Sequence, residues 1–398
     1  MKSSRTTWPS ILVAFAFSAP CCSQQFTVGS NGSYGEMVFP VNAGPRSLPV
    51  PPDGIFNCTR VHIPSGTTLK FIRNKLNTPV YLLATQNILI EGIIDVSGEL
   101  NTGAGGPGGF DGAARPAAGQ APGSGHGPGG ARGSAFSSTG TDPSDVRSVA
   151  AFLTPPKGSN VSKNGGKPYG SPLLVPLIGG SGAGALVVTD LGVLASGGGG
   201  GGAILIGSDT KVEILGSILA KGGSFSAGIS CGSGGAVRIL APEVSGTGLI
   251  SCVGGTDNLT GPVGGDGGIR IDTMDAKNMR ITTQGVYSIG RFMTVFPPTI
   301  TRIQILKVDS IDVDQSAAEP VSVILPFGSP SRQTVKLRGT GFVGEVPIEV
   351  ALVPDHGPSS RFQLALTGQA GVATEVETEV DMPINVKTRL YVWTVVGR

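Results

Sequence analysis

Histidine is nearly missing from this chain: His62, His126 and His356 are the only three in 398 residues, and they lie far apart. The cysteines contain no CxxC pair, so the ligand spacing of a zinc site is absent. No Ser/His/Asp triad can be assembled from histidines so scattered. Charge is scarce as well, since Asp, Glu, Lys and Arg make up 14% against about 25% in ordinary soluble proteins. A formal charge of +2 without any basic block gives no footprint for nucleic acid. Past the N-terminus no run reaches 18 apolar residues, and no membrane-spanning helix is expected.

What the chain does have is glycine, 64 residues of it, with 30 prolines. Such a share borders on the disordered range, yet these glycines are interleaved with Val/Ile/Leu runs, the pattern of a β-rich fold with tight turns. The N-terminus has the plan of an export signal, residues 1–23. Lys2 and Arg5 precede an apolar stretch from Ile11 to Ala19, and small residues lead to a cleavage point near Ser23–Gln24. Cys21 and Cys22 fit a lipoprotein signal poorly, because Pro20 occupies the small-residue position. Cleavage leaves Cys58, Cys231 and Cys252. In an oxidising compartment Cys231–Cys252 is the disulfide to expect, and the alternative is three small buried thiols.

A degenerate repeat organises the middle of the chain. GAILIGSDTKVEILGSILAKGG (202–223), GAVRILAPEVSGTGLISCVGG (235–255) and GGIRIDTMDAKNMRITTQG (267–285) align, and PVYLLATQNILIEGIIDVSG (79–98) is an earlier copy. Ile204, Val237 and Ile269 are spaced at the period of a solenoid. Alternation puts Ile204, Ile206, Val237, Ile239, Ile269 and Ile271 on one face and Leu205, Arg238 and Arg270 on the other. Gly92, Gly216 and Gly248 recur before the second strand of each copy. Gly222–Gly223 and Gly254–Gly255 follow it, where a corner can call for positive φ. Stacked parallel strands joined by corners predict an all-β, right-handed parallel β-helix over 24–296, with IFNCTRVHI (55–63) and TTLKFI (67–72) as its capping coil.

Residues 99–202 interrupt the repeat with Gly/Pro/Ser-rich sequence. They are expected to be loops partly packed over the stack through LLVPLIGG (173–180) and ALVVTDLGVLA (185–195), with 101–165 the most mobile part. After Pro297–Pro298 glycine thins out and seven short alternating strands follow, between TRIQILKV (301–308) and TRLYVWTV (388–395). That pattern predicts an immunoglobulin-like β-sandwich over 297–398, without the inter-sheet disulfide and with Trp393 in its core.

Several strings occur here together: NTPVYLLATQNILIEGIIDVSG, YGSPLLVPLIGGSGAG (169–184), GGGGGGAILI, GSGGAVRILAP and GGDGGIRID. In this combination the chain resembles Gly-rich exported β-helix proteins of bacteria, of pectin-lyase-like architecture, over roughly residues 50–275. That group has no established activity. The resemblance implies fold and export and carries over no catalytic residue.

The strongest constellation for binding is Arg238, Arg270 and Asp272, with Asp266 in the preceding turn. Two guanidinium groups on one ladder can hold a glycan carboxylate or sulfate; the plainer reading is a solvated outer face on which Asp272 offsets like-charge repulsion. Glu91 and Asp95, four apart, are read as sharing a strand face, with Leu215 and Leu219, then Thr247 and Ser251, as counterparts that complete no carboxylate pair. GGPGGFD (105–111) misses the Ca²⁺-binding nonapeptide spacing by one residue. No coherent catalytic set, cofactor or metal site emerges. The expectation is a secreted, non-catalytic structural or adhesive protein contacting a cell-surface or matrix polysaccharide. The rival is a carbohydrate-active enzyme on an acidic glycan, for which Ca²⁺ would be the cofactor.

Overall fold

A computed structural model describes residues 26–137, 148–157, 164–224, 230–257, 261–262, 264–297, 301–314 and 321–395. The expected signal segment, residues 1–23, lies outside them. The described residues are all β and loop, with no helix, and therefore no helix long and apolar enough to cross a membrane.

Residues 35–290 build three ladders of parallel strands around one core. The first takes the front of Ile55–Ile63, then Val80–Ala84, Ala203–Ser208, the front of Ala236–Ser245, Gly268–Asp275 and Val286–Gly290. The second stacks Gly35–Val38, the rear of Ile55–Ile63, Ile88–Ile90, Lys211–Ile214 and the rear of Ala236–Ser245. The third runs Gly44–Pro49, Thr67–Ile72, Ile93–Asp95, Ser217–Leu219, Leu249–Ser251 and Thr282–Gln284. Ile204 pairs with Val237 and Val237 with Ile269, as the period requires. All three are fully buried in a core that also receives Val61, Ile88, Val212 and Val244 from the second ladder and Leu69, Ile94, Ile218 and Ile250 from the third. The expected capping coil at 55–72 has another rung in front of it, made by Gly35–Val38 and Gly44–Pro49.

The corner glycines stack directly. A Cβ on Gly216 would stand 2.0 Å from the Gly92 carbonyl oxygen, and one on Gly248 would stand 2.3 Å from that of Gly216. Gly222–Gly223 and Gly254–Gly255 answer to the same pressure, and none of the four has the positive φ expected of it. Close backbone approach, not handedness, excludes a side chain there.

The insertion is no flexible linker. It leaves the stack after Asp95 and returns at Ala203, the same corner at which the chain leaves after Leu219 and after Ser251, and described segments of all three excursions pack into one bundle of extended chain. Gly197, Gly200 and Ala203 donate backbone bonds to Ala113, Phe110 and Pro107. Ala183 and Gly180 donate to Gly198 and Gly201, and Gly198 and Gly201 donate to Ser230 and Ser233. Partners advance by three residues where a β-ladder would return to the same neighbour every two. Three residues per turn is the repeat of an extended polyproline-type helix, which presents successive faces to different neighbours. Glycine lets those faces touch: a Cβ on Gly200 would lie 2.0 Å from the Gly180 oxygen, and one on Gly232 2.0 Å from that of Gly199. Residues 103–113 and 123–131, part of the 101–165 stretch expected to be mobile, belong to this packed bundle.

Other insertion residues do lie over the stack. Phe152, Leu174 and Leu177 join Leu205, Leu240 and Val28 in a second core against the outside of the first ladder. Ala203–Ser208 is buried on both faces, and its AILI opening reads as the apolar run typical of covered parallel strands. ALVVTDLGVLA departs from expectation. It forms a small sheet in which Leu186–Val188 pairs with Val193–Ala195 and Ser134–Phe136.

Beyond the stack, two four-stranded antiparallel sheets enclose a separate core. One is made of Ile311–Asp312, Arg302–Val308, Arg332–Thr340 and Thr374–Asp381; the other of Ser322–Val323, Thr388–Thr394, Gly344–Pro354 and Ser360–Gly368. Val335, Leu337, Ile348, Val350 and Leu390 fill the space between. Trp393 corrects its assignment: it is half-buried outside that core, with the Arg361 guanidinium 5.4 Å from its ring centre.

Candidate functional site

The ladder places Arg238 and Arg270 opposite each other on neighbouring strands, as their spacing implies. Their surroundings differ from either sequence reading, for this outer face is neither solvated nor an open cleft. Arg238 is 1% exposed and Asp272 fully buried. Asp272 sits between the two cations. Arg270 donates from Nη2 and Nε to Oδ1 at 2.6 and 3.0 Å, and Arg238 donates from Nη2 and Nε to Oδ2 at 3.2 and 3.4 Å. Residues 290–295 then close over the cluster. The Phe292 amide donates to Asp272 Oδ1 at 2.9 Å, its carbonyl accepts from Arg238 Nη2 at 2.9 Å, and its ring faces Arg238 at 5.3 Å. Burial pulls the Arg238 pKa below its ordinary value, and Asp272 opposes the shift. Gly290 leaves room for this arrangement, since a Cβ would stand 2.1 Å from Arg270 Nη2 and push the guanidinium aside. A glycan carboxylate reaches Arg238 only after this strap lifts.

Asp266 is not part of that cluster. Its carboxylate meets Lys157 and accepts from the Gly254 amide, and its backbone bonds Leu153 and Thr154, tying 148–157 to a corner of the bundle. The Cys231–Cys252 disulfide does not form: Cys252 is a free thiol. Cys252 points into the main core, whereas Cys231 packs with Val149 in another cluster. Burial raises the Cys252 thiol above its usual range and pushes Cys58 up to about 12, which keeps both protonated and inert. Asp111 of GGPGGFD binds Arg73 at 2.6 Å and the Gly105 amide at 2.9 Å.

Glu91 and Asp95 do not share a face, because the chain turns a corner between Ile88–Ile90 and Ile93–Asp95. Asp95 lies on the third ladder, 3.3 Å from Lys70. Glu91 meets His62 on the second, Oε2 to Nε2 at 2.8 Å. His62 belongs to an open polar face that residue spacing alone left unnoticed. Along the stack axis Glu36, Arg60, Asn87, Lys211, Glu243 and Asp275 occupy successive rungs, with His62, Leu89 and Glu213 beside them. Arg60 bonds Glu36 at 3.6 Å, and Lys211 bonds Glu243 and Glu213 at 3.2 and 3.4 Å. Its hydrogen bond to Glu243 raises the Lys211 pKa. A depression of about 180 Å³ lies at the Asn87 rung, between Arg60 and Lys211. The available signal was positional: Lys211 and Glu213 alternate with core residues Val212 and Ile214, as Arg60 and His62 alternate with Val61 and Ile63.

Among the described residues no cluster of His, Cys, Asp or Glu has metal-binding geometry. The chain matches no family model, no curated protein and no solved structure.

Proposed function

We propose that this is a secreted, non-catalytic protein: a right-handed parallel β-helix followed by an immunoglobulin-like sandwich, which holds an extracellular polysaccharide along the outer face of its second ladder. One observation carries the reading. Hydrogen-bonding side chains from Glu36 to Asp275 recur there on successive strands, about 4.8 Å apart, a step comparable with one sugar residue of an extended glycan. The face is open and rigid, so little ordering cost is added on binding. Among the described residues, five carboxylates there (Glu36, Glu91, Glu213, Glu243 and Asp275) are set against Arg60, Lys211 and Lys277, with His62 on Glu91, which favours glycan hydroxyls over glycan carboxylates. The charged start and apolar stretch of residues 1–23, together with the resemblance to exported Gly-rich β-helix proteins, support secretion.

An enzyme acting on an acidic glycan through Arg238, Arg270 and Asp272 would first have to lift residues 290–295, and this weakens that alternative. The test is calorimetric titration of the protein with soluble neutral and uronic-acid glycans, with chromatography of the glycan afterwards. Binding without shortened products, weakened about tenfold by Arg60→Ala or Lys211→Ala, is expected; loss of one charged-group hydrogen bond accounts for that factor. Glycan cleavage, or binding that neither substitution alters, would overturn the reading.

A further inference from the structure

The second sheet of the antiparallel unit does not hang free. It rests on the tip of the glycine bundle, and a single histidine lies at the centre of the contact. His126 is 4% exposed. Arg389 Nη1 donates to its Nε2 at 2.9 Å, and its Nδ1 lies 3.2 Å from the Tyr391 hydroxyl. An arginine can only donate. Nε2 must therefore be the bare nitrogen, and Nδ1 carries the proton and donates it to Tyr391. Around this centre Arg361 Nη1 donates to the Pro128 carbonyl at 2.8 Å, and the Ser359 amide donates to Ser124 Oγ at 3.2 Å. Phe110 meets the Tyr391 ring edge-on at 5.9 Å.

We propose that this contact is an acid-sensitive latch: protonation of His126 releases the C-terminal double sheet from the glycine bundle. A second proton on the ring would occupy Nε2 and set an imidazolium against the Arg389 guanidinium, replacing a hydrogen bond with two facing cations. The other charges nearby do not remove the conflict. Asp111, on the bundle side, is already engaged by Arg73 and the Gly105 amide. Glu349, on the sheet side, is engaged by Arg361 and Gln363. Asp355 stands in the hairpin that touches Gly123 through its carbonyl. Burial, then Arg389, lowers the His126 pKa to about 4, with Asp111 opposing.

The direction of the effect follows. A ring that titrates near 6.5 when released and near 4 when docked binds fewer protons in the docked state. Docking is unaffected above pH 6.5, weakens as pH falls from 6.5 to 4, and levels off below. The opening equilibrium moves by up to tenfold per pH unit, about 300-fold over the window.

The experiment uses the full mature chain between pH 7.5 and 4, reading X-ray scattering for extension and amide exchange at Ser359 for release. Exchange at Arg238–Leu240, deep in the stack, reports whether the rest stays folded. Expected are faster exchange at Ser359 and a larger radius of gyration below pH 6, with the stack still protected. His126→Gln keeps an acceptor for Arg389 and cannot titrate, and should hold the two units together to pH 4. A His126 ring that titrates near 6.5 by NMR in the docked protein would overturn the latch. So would a transition that persists unchanged in the variant, or a Ser359 amide that stays protected throughout.

Discussion

Asp272 is the residue on which the outer face of the first ladder depends. It is fully buried, with Oδ1 accepting from Arg270 and the Phe292 amide and Oδ2 from Arg238 on the neighbouring strand. Removing it leaves two guanidinium groups beneath Phe292 with no counter-charge, and breaking a buried pair from one side costs about 3–5 kcal/mol. Asp272→Ala is expected to lower stability by that amount in urea denaturation, and Asp272→Asn by nearly as much, because shape survives and charge does not. An unchanged midpoint would show that the cluster is not what secures residues 290–295. The pairing of Arg238 with Arg270 was legible from spacing, but the lid was not. Phe292 arrives through a turn after the last strand, and nothing in its sequence marks where it lands.

At the scale of elements, the aliphatic strands announced themselves and the glycine segments misled. A period of 32–33 residues identified Ile204, Val237 and Ile269 as one column, because a stack must repeat its core at a fixed interval. SGGGGGG carries no such periodicity in side chains; packing is expected from the apolar runs around it and not from the glycines themselves. The order of this tract rests on carbonyl oxygens of segments distant in sequence, 1.8–2.5 Å from where each Cβ would be. Gly200→Val is therefore expected to disrupt the bundle, costing well above the usual ~1–3 kcal/mol of core overpacking, since backbone cannot move aside as a side chain does. Limited proteolysis should then cut within 101–200 while the strands from Ala203 onward resist. Resistance equal to the parent protein would mean that the bundle is loosely packed. Glu91 makes the same point on a smaller scale. Two carboxylates four apart share a face only if the strand continues, and the corner at Gly92 separates them.

On the scale of the molecule, two hydrophobic cores share one chain, one inside the ladders and one between the antiparallel sheets. Among the described residues, hydrogen bonds around His126, Ser124 and Pro128 join the two units across a contact that neither core extends into. Calorimetry at pH 7.5 is expected to resolve two unfolding transitions. Leu337→Ala, which opens a cavity in the second core at about 2–5 kcal/mol, should lower one of them and leave the other in place. A single transition that shifts as a whole would show that the units unfold together. The sequence by itself determined what depends on local periodicity: strands alternating about a buried column, a repeat that forces them to stack, and a change of character near Pro297. Only the tertiary structure decided which outer faces meet water, because burial of an outward side chain depends on segments far away along the chain. Arg238 and Arg270 fell under a lid, while Arg60, His62 and Lys211 did not.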